Sequence, residues 1–354
     1  MSDLTVRVRA VLFSICVICA GLIGCGGSSH HYVYTVGLSA EGVFGFKESS
    51  GGVLSGVNSS PFATGGQPVA VAITPSKAYG FIVSAGGNGI VGYSFSDKTG
   101  ALSLLNAAVA TGTNPVAIAI DSSSSHVYVL NQGSSSISAY SLDSFTGILT
   151  PLTGSPFATV ANPVSMAMPS GGGALYVVSP TQGVTSMGIK SDGTLGAPQT
   201  PLTAGTSPSF VAVTQSNQFV YVSDSTGNAV FVFSVSSSGL TAASGSTAVG
   251  TAPSGLAIDP AGKLLFVANK GSNNVSVFSI ESGGALAQAS GSPFATGTAP
   301  VFLITDTSGS HLFVADQGSG DLAAFSVSGN GTLRQVSGSP YAVQTNPSWI
   351  AVID

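Results

Sequence analysis

One decapeptide recurs along the chain and limits the folds that the sequence can adopt. GSPFATGTAP at residues 291–300 returns as GSPFATVANP at 154–163, as SSPFATGGQP at 59–68 and, more loosely, as GSPYAVQTNP at 338–347. Prolines in equivalent places lie 45 to 48 residues apart, at Pro68, Pro115, Pro163, Pro208, Pro253, Pro300 and Pro347. A period of this length is typical of chains built from one repeated supersecondary unit.

Each repeat contains four short apolar runs. The proline opens the first run, as in PVAIAI, and a polar turn separates it from a second run, as in HVYVLN. A glycine-rich turn precedes the third run, as in ISAYSL, and a weaker fourth run follows near GILTPL. The runs alternate with period two, contain β-branched and aromatic residues, and are separated by Gly, Asn, Asp and Ser, which is the pattern of strands and tight turns. Four strands in a unit of this size predict the blade of a β-propeller.

The two ends of the chain predict how the ring closes. The seven prolines bound six full repeats, and residues 31–67 and 347–354 together have the length of one more. The tail PSWIAVID matches a first strand, and the head contains the second to fourth strands. We therefore predict an all-β fold, a single seven-bladed β-propeller with four antiparallel strands per blade, whose first blade is closed by the C-terminal strand. Such closure leaves no open edge between the first and last blades.

The recurrent decapeptide is interpreted as a connector between blades. It must travel inward from the outermost strand of one blade to the innermost strand of the next, about 14 Å at roughly 4.8 Å per strand. Its prolines favour extended backbone. The aromatic residues of the four copies are predicted to fill the space between neighbouring blades; they are Phe62, Phe157, Phe294 and Tyr341.

The N-terminus has the pattern of an export signal. Arg7 and Arg9 precede an apolar segment at 11–23, which is too short to span a bilayer comfortably, and Leu-Ile-Gly-Cys follows at 22–25. This pattern resembles the bacterial lipobox, so we predict a lipoprotein signal peptide at 1–24, a lipidated Cys25 with a tether at 25–31, and the propeller at 32–354, its strand at 347–354 completing the blade begun at 32–67. An ordinary secretory signal with an incidental Cys25 is the alternative. Gly26, rather than Asp, favours the outer membrane of the cell envelope.

Composition excludes some classes of partner. Only 6% of the residues are charged, against about 25% in ordinary domains, and the net charge is −5 with no basic stripe. Nucleic acid is therefore not an expected partner. All three cysteines lie in the N-terminal segment, so the mature chain is expected to contain no disulfide and no cysteine-ligated metal.

The repeat resembles that of a known family. The stretch Pro253–Ile280, with its AIDPxG turn and FVANxGSNNVSVFSI strands, is similar to the repeat of bacterial YVTN-type propellers. The GSPF connectors and G-x-L fourth strands resemble those of lactonase-type seven-bladed propellers, which include 6-phosphogluconolactonases and a muconate cyclase. The resemblance extends over residues 31–354 and implies the propeller fold, and it raises lactone chemistry as a possible activity.

Candidate site residues are few. The second strands end in Asn131, Asp224, Asn269 and Asp316, and Lys270 follows one of them; together these residues are predicted to surround one mouth of the channel. Such a ring could bind a sugar or a cation, or its members could simply initiate turns by bonding to their own backbone. His126 and His311 are predicted at the opposite end, on different blades, and Arg334 is the one arginine of the mature chain. No catalytic triad, HExxH motif or carboxylate dyad close in sequence is expected.

Two functions follow as hypotheses. The first is an envelope-anchored lipoprotein that acts as a binding scaffold for a protein or glycan, attached to the membrane by its N-terminal lipid, with no cofactor and no metal. The alternative is a lactonase-family hydrolase that acts on a sugar lactone. The scarcity of arginine and of suitably placed histidine argues against the alternative, because the resemblance implies a site with cationic groups for the phosphate or carboxylate of the substrate.

Overall fold

The computed structural model describes residues 31–37, 42–343 and 346–353. These residues form seven antiparallel sheets and one 3₁₀ turn, η1 (Ser282–Gly284). The innermost strands of the sheets contact each other in cyclic order, so that the last returns to the first. The predicted seven-bladed propeller is therefore confirmed. Within these described ranges no helix is long and apolar enough to cross a membrane.

The strands follow the predicted repeat. Blade 1 contains β1 (His31–Gly37), β2 (Gly42–Glu48), β3 (Leu54–Gly56) and β4 (Phe62–Ala63). Blade 2 contains β5 (Pro68–Ile73), β6 (Tyr79–Ser84), β7 (Gly89–Phe95), β8 (Leu102–Leu104) and β9 (Val109–Ala110). Blade 3 contains β10 (Pro115–Ile120), β11 (His126–Asn131), β12 (Ser136–Leu142), β13 (Leu149–Pro151) and β14 (Phe157–Ala158). Blade 4 contains β15 (Ser165–Ala167), β16 (Ala174–Ser179) and β17 (Gly183–Gly188).

The remaining blades are arranged in the same way. Blade 5 contains β18 (Pro208–Val213), β19 (Phe219–Asp224), β20 (Ala229–Ser236) and β21 (Gly239–Ala248). Blade 6 contains β22 (Pro253–Ile258), β23 (Leu264–Asn269), β24 (Asn274–Ile280), β25 (Leu286–Gln288) and β26 (Phe294–Ala295). Blade 7 contains β27 (Pro300–Thr305), β28 (His311–Asp316), β29 (Asp321–Val327), β30 (Leu333–Gln335) and β31 (Tyr341–Ala342). The final strand, β32 (Pro347–Ile353), belongs to blade 1.

The two ends of the chain join in one sheet. Strand β32 pairs antiparallel with β1, and Tyr32 lies opposite Ile353. Blade 1 thus takes its innermost strand from the C-terminus and the rest from the N-terminal part of the chain, as predicted. We call the end of the ring that carries the prolines of the first strands the connector face. The other end, where each first strand turns into the second, is called the opposite face.

The connectors differ in one respect from the prediction. The segments Phe62–Ala63, Phe157–Ala158, Phe294–Ala295 and Tyr341–Ala342 pair with the third strand of the blade that precedes them. The chain therefore extends the outer edge of its own blade before it turns inward. The Ser-Pro bond before each of these segments is cis. Blade 4 has no such segment, and its outer edge consists of isolated bridges at Leu195 and Leu202.

The core lies between the blades. Each apolar cluster combines residues of two adjacent blades, and the connector aromatics pack into these clusters as predicted: Phe62 between blades 1 and 2, Phe157 between 3 and 4, Phe294 between 6 and 7, and Tyr341 between 7 and 1. Buried tyrosines on second strands add polar links, because their hydroxyls donate to carbonyls in the third-to-fourth hairpin of the next blade. These pairs are Tyr34 with Gly100, Tyr128 with Gly193 and Tyr221 with Gly284.

Aromatic side chains fill the axis of the ring below the connector face. The third residue of each first strand is small in four blades and aromatic in the other three, where it is Phe210, Phe302 and Trp349. The rings of Trp349 and Phe302 stack with centroids 4.3 Å apart, and Phe210 meets Phe302 edge-on at 5.9 Å. Trp349 also packs against the apolar clusters between blades 1 and 2, 2 and 3, and 3 and 4. The small residues leave the room that the three aromatic rings occupy.

Candidate functional site

The predicted channel-mouth residues lie on the connector face, but four of the five are buried. Asn131, Asn269 and Asp316 are 0% exposed and Asp224 is 2% exposed. They stand where the second strand ends, below the connector that enters the blade. A glycine of the connector lies directly against each side chain, at Gly112, Gly205, Gly250 and Gly297. These side chains therefore face the connectors and do not form an open polar ring.

Asn131 and Asp224 hold the connectors by hydrogen bonds. The Oδ1 atom of Asn131 accepts from the backbone N–H of Gly112 at 3.1 Å. The carboxylate of Asp224 accepts from the N–H groups of Thr206 and Ser207, both at 2.8 Å. Asp224 also accepts from the N–H of Thr226 in the turn that follows it, at 3.2 Å, as expected of a turn initiator, so its carboxylate joins the connector to that turn.

Asn269 and Lys270 differ in exposure. The amide nitrogen of Asn269 donates to Asn274 and Ser276 at 2.8 Å, and its Oδ1 atom has no partner among the described residues. Lys270 is exposed, and its Nζ atom lies 3.4 Å from Oε1 of Gln317 on the next blade. Of the lysines and the arginine in the described ranges, Lys270 is the one on the connector face. Cys25 lies outside the described residues.

Blade 7 carries a carboxylate pair that sequence analysis did not predict. Asp316 ends β28 and Asp321 begins β29, and the antiparallel register places the two residues opposite each other. The carboxyl of Asp316 donates a hydrogen bond to that of Asp321, which requires a proton on Asp316. Oδ2 of Asp316 also accepts from the Thr296 hydroxyl at 2.8 Å and from the Gly297 N–H at 3.0 Å. Asp321 is the more exposed member of the pair.

The expectation that no carboxylate dyad lies close in sequence was therefore wrong. The sequence ADQGSGD contains the signal, since a four-residue turn between paired strands places its flanking residues face to face. In the neighbouring blade the same two positions are Asn269 and Asn274, so the pair of acids is particular to blade 7.

Asp316 and Asp224 occupy equivalent positions in blades 7 and 5, but their environments shift their pKa values in opposite directions. Burial, with a smaller contribution from the adjacent Asp321, raises the pKa of Asp316 to about 7. Burial also acts on Asp224, but hydrogen bonds from the backbone of Thr206 and three other residues outweigh it and lower the pKa of that carboxyl. Burial likewise raises the pKa of Asp321. At neutral pH the Asp316–Asp321 pair can hold and release a proton, whereas Asp224 stays ionised.

A second titratable cluster lies on the opposite face, between blades 7 and 1. Nδ1 of His311 is 2.9 Å from Oε1 of Glu48 and 3.3 Å from Oδ2 of Asp306. All three residues are buried, and the two carboxylates raise the pKa of His311 to about 9. Their ligand atoms lie within 4.8 Å of one another, a spacing that could hold a metal ion. The imidazolium already bridges both carboxylates, so we assign the cluster a role in joining the two blades.

His126 is the equivalent of His311 in blade 3, but it has one carboxylate partner where His311 has two. It pairs with Asp121 at 2.8 Å, as His311 pairs with Asp306, and it begins the second strand of blade 3. Ile189 occupies the place in blade 4 that Glu48 occupies in blade 1. The histidines lie on separate blades and on the opposite face, as predicted, and each serves its own blade junction.

Comparison with known proteins agrees with the seven-bladed fold. The model of the lactonase family with a seven-bladed β-propeller matches residues 51–168, 152–247, 193–291 and 240–352. No curated protein sequence matches the chain.

Solved structures share the fold at low sequence identity. A Bacteroides uniformis protein, provisionally assigned as a 6-phosphogluconolactonase, superposes with a TM-score of 0.80 at 17% identity, over 92% of this chain and 100% of its own. A Bacteroides fragilis protein with the same provisional assignment gives 0.79 at 17%, over 93% and 99%. The periplasmic gluconolactonase of Pseudomonas aeruginosa gives 0.78 at 17%, over 92% and 99%. At this level of identity the structures show a common fold.

The matched segments together extend from residue 51 to residue 352, most of the ring. The chain therefore belongs to the lactonase family of seven-bladed β-propellers.

Proposed function

We propose that the protein hydrolyses a lactone on its connector face, with Asp321 as the general base and Asp316 as the residue that holds the shared proton. The observation that carries the proposal is the hydrogen-bonded carboxyl pair in which burial raises the pKa of Asp316 to about 7. A general acid or base works best when its pKa is close to the working pH. Membership of the lactonase family supports the choice of an ester bond within a ring as the target.

The reaction needs one proton to be removed and one to be supplied. The carboxylate of Asp321 takes a proton from water, and the water oxygen bonds to the lactone carbonyl carbon. When the bond between that carbon and the ring oxygen breaks, the carboxyl pair returns a proton to the departing oxygen. The product is the open hydroxy acid, and the pair ends with the proton count it began with. Asp316 acts through Asp321 and is a positioning residue, since its own side chain is fully buried.

The charges on this face favour an uncharged sugar lactone. A phosphoryl group is normally held by several cationic groups, and arginine is the preferred one. Lys270 is the one lysine or arginine on the connector face of the described chain, and Arg334 lies in a fourth strand near the opposite face. An aldonolactone such as glucono-1,5-lactone carries no charge and therefore does not need several cationic side chains on this face. The gluconolactonase of Pseudomonas aeruginosa, which shares the fold, supports the same choice.

The test is hydrolysis of glucono-1,5-lactone in a pH-stat, with spontaneous hydrolysis subtracted. Asp321→Asn should lower kcat by about 100-fold or more, the usual loss when a general base is removed. Asn274→Ala is the matched control, because Asn274 occupies the equivalent position in blade 6. It should retain wild-type activity.

The pH profile distinguishes a base from a structural residue. The rate of the wild type should fall as the pH rises through about 7, where the pair loses the shared proton held by Asp316, and this step should be absent in Asp316→Asn. Turnover of Asp321→Asn within threefold of wild type, or a wild type that hydrolyses no lactone above background, would remove this proposal. In the second case the envelope-bound binding scaffold for a protein or glycan is the function that remains.

We also propose that the protein is exported and attached to the membrane through a lipid on Cys25. The basic start, the apolar segment at 11–23 and the lipobox-like sequence at 22–25 support this location. The N-terminal peptide of the membrane-bound protein should carry acyl chains on Cys25 when it is measured by mass spectrometry. Cys25→Ser should move the protein to the soluble fraction.

A further inference from the structure

The exposed apolar side chains are concentrated in one sector of the ring. Within the described ranges, the large apolar residues classed as exposed are Val53, Leu104, Phe145 and Ile148, with exposures of 40%, 63%, 91% and 47%. All four belong to blades 1–3. Val53, Phe145 and Ile148 stand in hairpins between a third and a fourth strand, near the opposite face, and Leu104 is the last residue of the three-residue fourth strand β8. Scattered exposure would not place all four in one sector.

Phe145 is displayed by a fixed hairpin. Oδ1 of Asp143 accepts from the N–H groups of Phe145 and Thr146, both at 2.9 Å. The N–H of Gly147 donates to the carbonyl of Asp143 at 2.8 Å, and the hydroxyl of Tyr79 donates to the carbonyl of Phe145 at 2.7 Å. The backbone at the tip is therefore tied both to its own hairpin and to blade 2. A phenyl ring that is 91% exposed on such a backbone gains nothing from its own fold.

The first described residue, His31, lies on the same face. His31 begins β1 opposite Glu48, at the end of blade 1 that forms the opposite face. Cys25 precedes His31 by six residues, which span at most about 20 Å when fully extended. A lipid on Cys25 would therefore hold this face within about 20 Å of the bilayer. The apolar sector and the predicted anchor thus lie on the same face.

Charged groups in this sector nearly balance. Lys47, Lys77 and Lys98 are exposed near the opposite face of blades 1 and 2, and Asp97 and Asp143 are exposed beside them. The exposed apolar side chains of this sector are therefore surrounded by both positively and negatively charged residues. This composition suits the headgroup region of a phospholipid bilayer, where an aromatic tip enters the interface and lysines meet phosphates.

We propose that the opposite face of blades 1–3 rests on a phospholipid bilayer, with Phe145 inserted into its interface. The proposal depends on the lipid anchor proposed above and not on lactone hydrolysis. It fixes the orientation of the ring, because the connector face with the Asp316–Asp321 pair then points away from the membrane. A soluble lactone would reach that face without crossing the lipid surface.

The experiment measures the depth of single labelled positions. The full-length protein is purified from membranes with its lipid on Cys25, confirmed by mass, and placed in phosphatidylcholine–phosphatidylglycerol vesicles that contain a spin-labelled lipid. Phe145→Cys carries an environment-sensitive fluorophore. Gly87→Cys is the matched control on the connector face, since a side chain at Gly87 would contact nothing within 4 Å. Gly329→Cys, equally open and on blade 7, reports on the opposite face outside the sector.

The fluorophore at 145 should be quenched at least ~2-fold more strongly than those at 87 and 329, as expected for a residue at interfacial depth. Equal quenching at 145 and 87 would overturn the proposal, and equal quenching at 145 and 329 would overturn its assignment to blades 1–3. A spectral shift at 145 that appears without vesicles and grows with protein concentration would instead identify a second copy of the chain as the occupant. If Cys25 of the membrane-purified protein carries no lipid, the proposal that this face rests on a bilayer is also refuted. None of these readouts depends on lactone turnover.

Discussion

The buried cluster between blades 7 and 1 makes stability depend on pH in a defined direction. In the folded protein the pKa of His311 is raised from 6.5 to about 9 by hydrogen bonds to Asp306 and Glu48. A raised pKa contributes stability that is fully present below the unfolded value of 6.5 and is lost as the pH rises through the folded value. At about 1.4 kcal/mol per pH unit, this contribution is roughly 3 kcal/mol below pH 6.5 and disappears above pH 9.

Glu48→Gln is the perturbation that isolates this effect. Asp306 provides the largest share of the stabilisation of the imidazolium and Glu48 the next, so the substitution should cost about 1 to 1.5 kcal/mol at pH 6. Above pH 9 the neutral imidazole no longer separates the two buried carboxylates. Glu48→Gln removes one of them and should then be as stable as the wild type or more stable. The difference in the free energy of unfolding is thus expected to shrink to zero and change sign between pH 6.5 and 9.5.

Urea titrations at half-unit pH intervals and constant ionic strength measure the difference, with Trp349 fluorescence as the signal. Trp349 is the one tryptophan of the chain and lies on the closing strand β32. Lys47→Gln is the control, because it removes one exposed charge from the same strand as Glu48. Its effect should be small at every pH in this range. A cost of Glu48→Gln that is the same at pH 6 and pH 9.5 would refute the proposed protonation of His311.

Three further outcomes are expected. Trp349→Ala should lower the free energy of unfolding by about 3 to 5 kcal/mol, since it leaves a cavity beside Phe302, and the loss is measurable by urea titration followed by circular dichroism. Gly205→Ala should destabilise by about 1 to 3 kcal/mol, because φ is +92° and the added carbon would meet the Asp224 carboxylate; a thermal melt within 1 °C of wild type would contradict this. Deletion of residues 347–354 should abolish the cooperative unfolding transition, because β1 and the innermost strands of blades 2 and 7 all lose their partner; an unchanged transition would show that the ring closes without β32.

The sequence was sufficient to predict the ring because period, turn chemistry and the division of one blade between the two termini are local patterns. Proline spacing located the first strand of every blade, and the incomplete repeats at the ends predicted the pairing of β1 with β32. The packing of Phe62 and its equivalents also followed from the length of the connectors.

The arrangement of the candidate site could be predicted only in part from local sequence patterns. Asn131 and Asp224 were placed correctly in the fold, but their burial depends on where the connector of the previous blade passes, which the repeat alone does not specify. The Asp316–Asp321 pair depends on strand register and on the protonation that burial imposes. The link from His311 to Glu48 joins residues more than 260 positions apart and arises because the ring brings blade 7 next to blade 1.

The position of Trp349 has a consequence for how the protein comes into being. This residue lies on β32, which follows blades 2 to 7 in the sequence, yet its ring meets Phe302 and Phe210 and packs against the clusters between blades 1 and 2, 2 and 3, and 3 and 4. A nascent polypeptide therefore lacks this central aromatic side chain until β32 has been synthesised after blades 2 to 7, and until then those blades form an open arc with exposed edges. Emergence of β32, rather than the appearance of any earlier blade, is the event that allows the native ring to form.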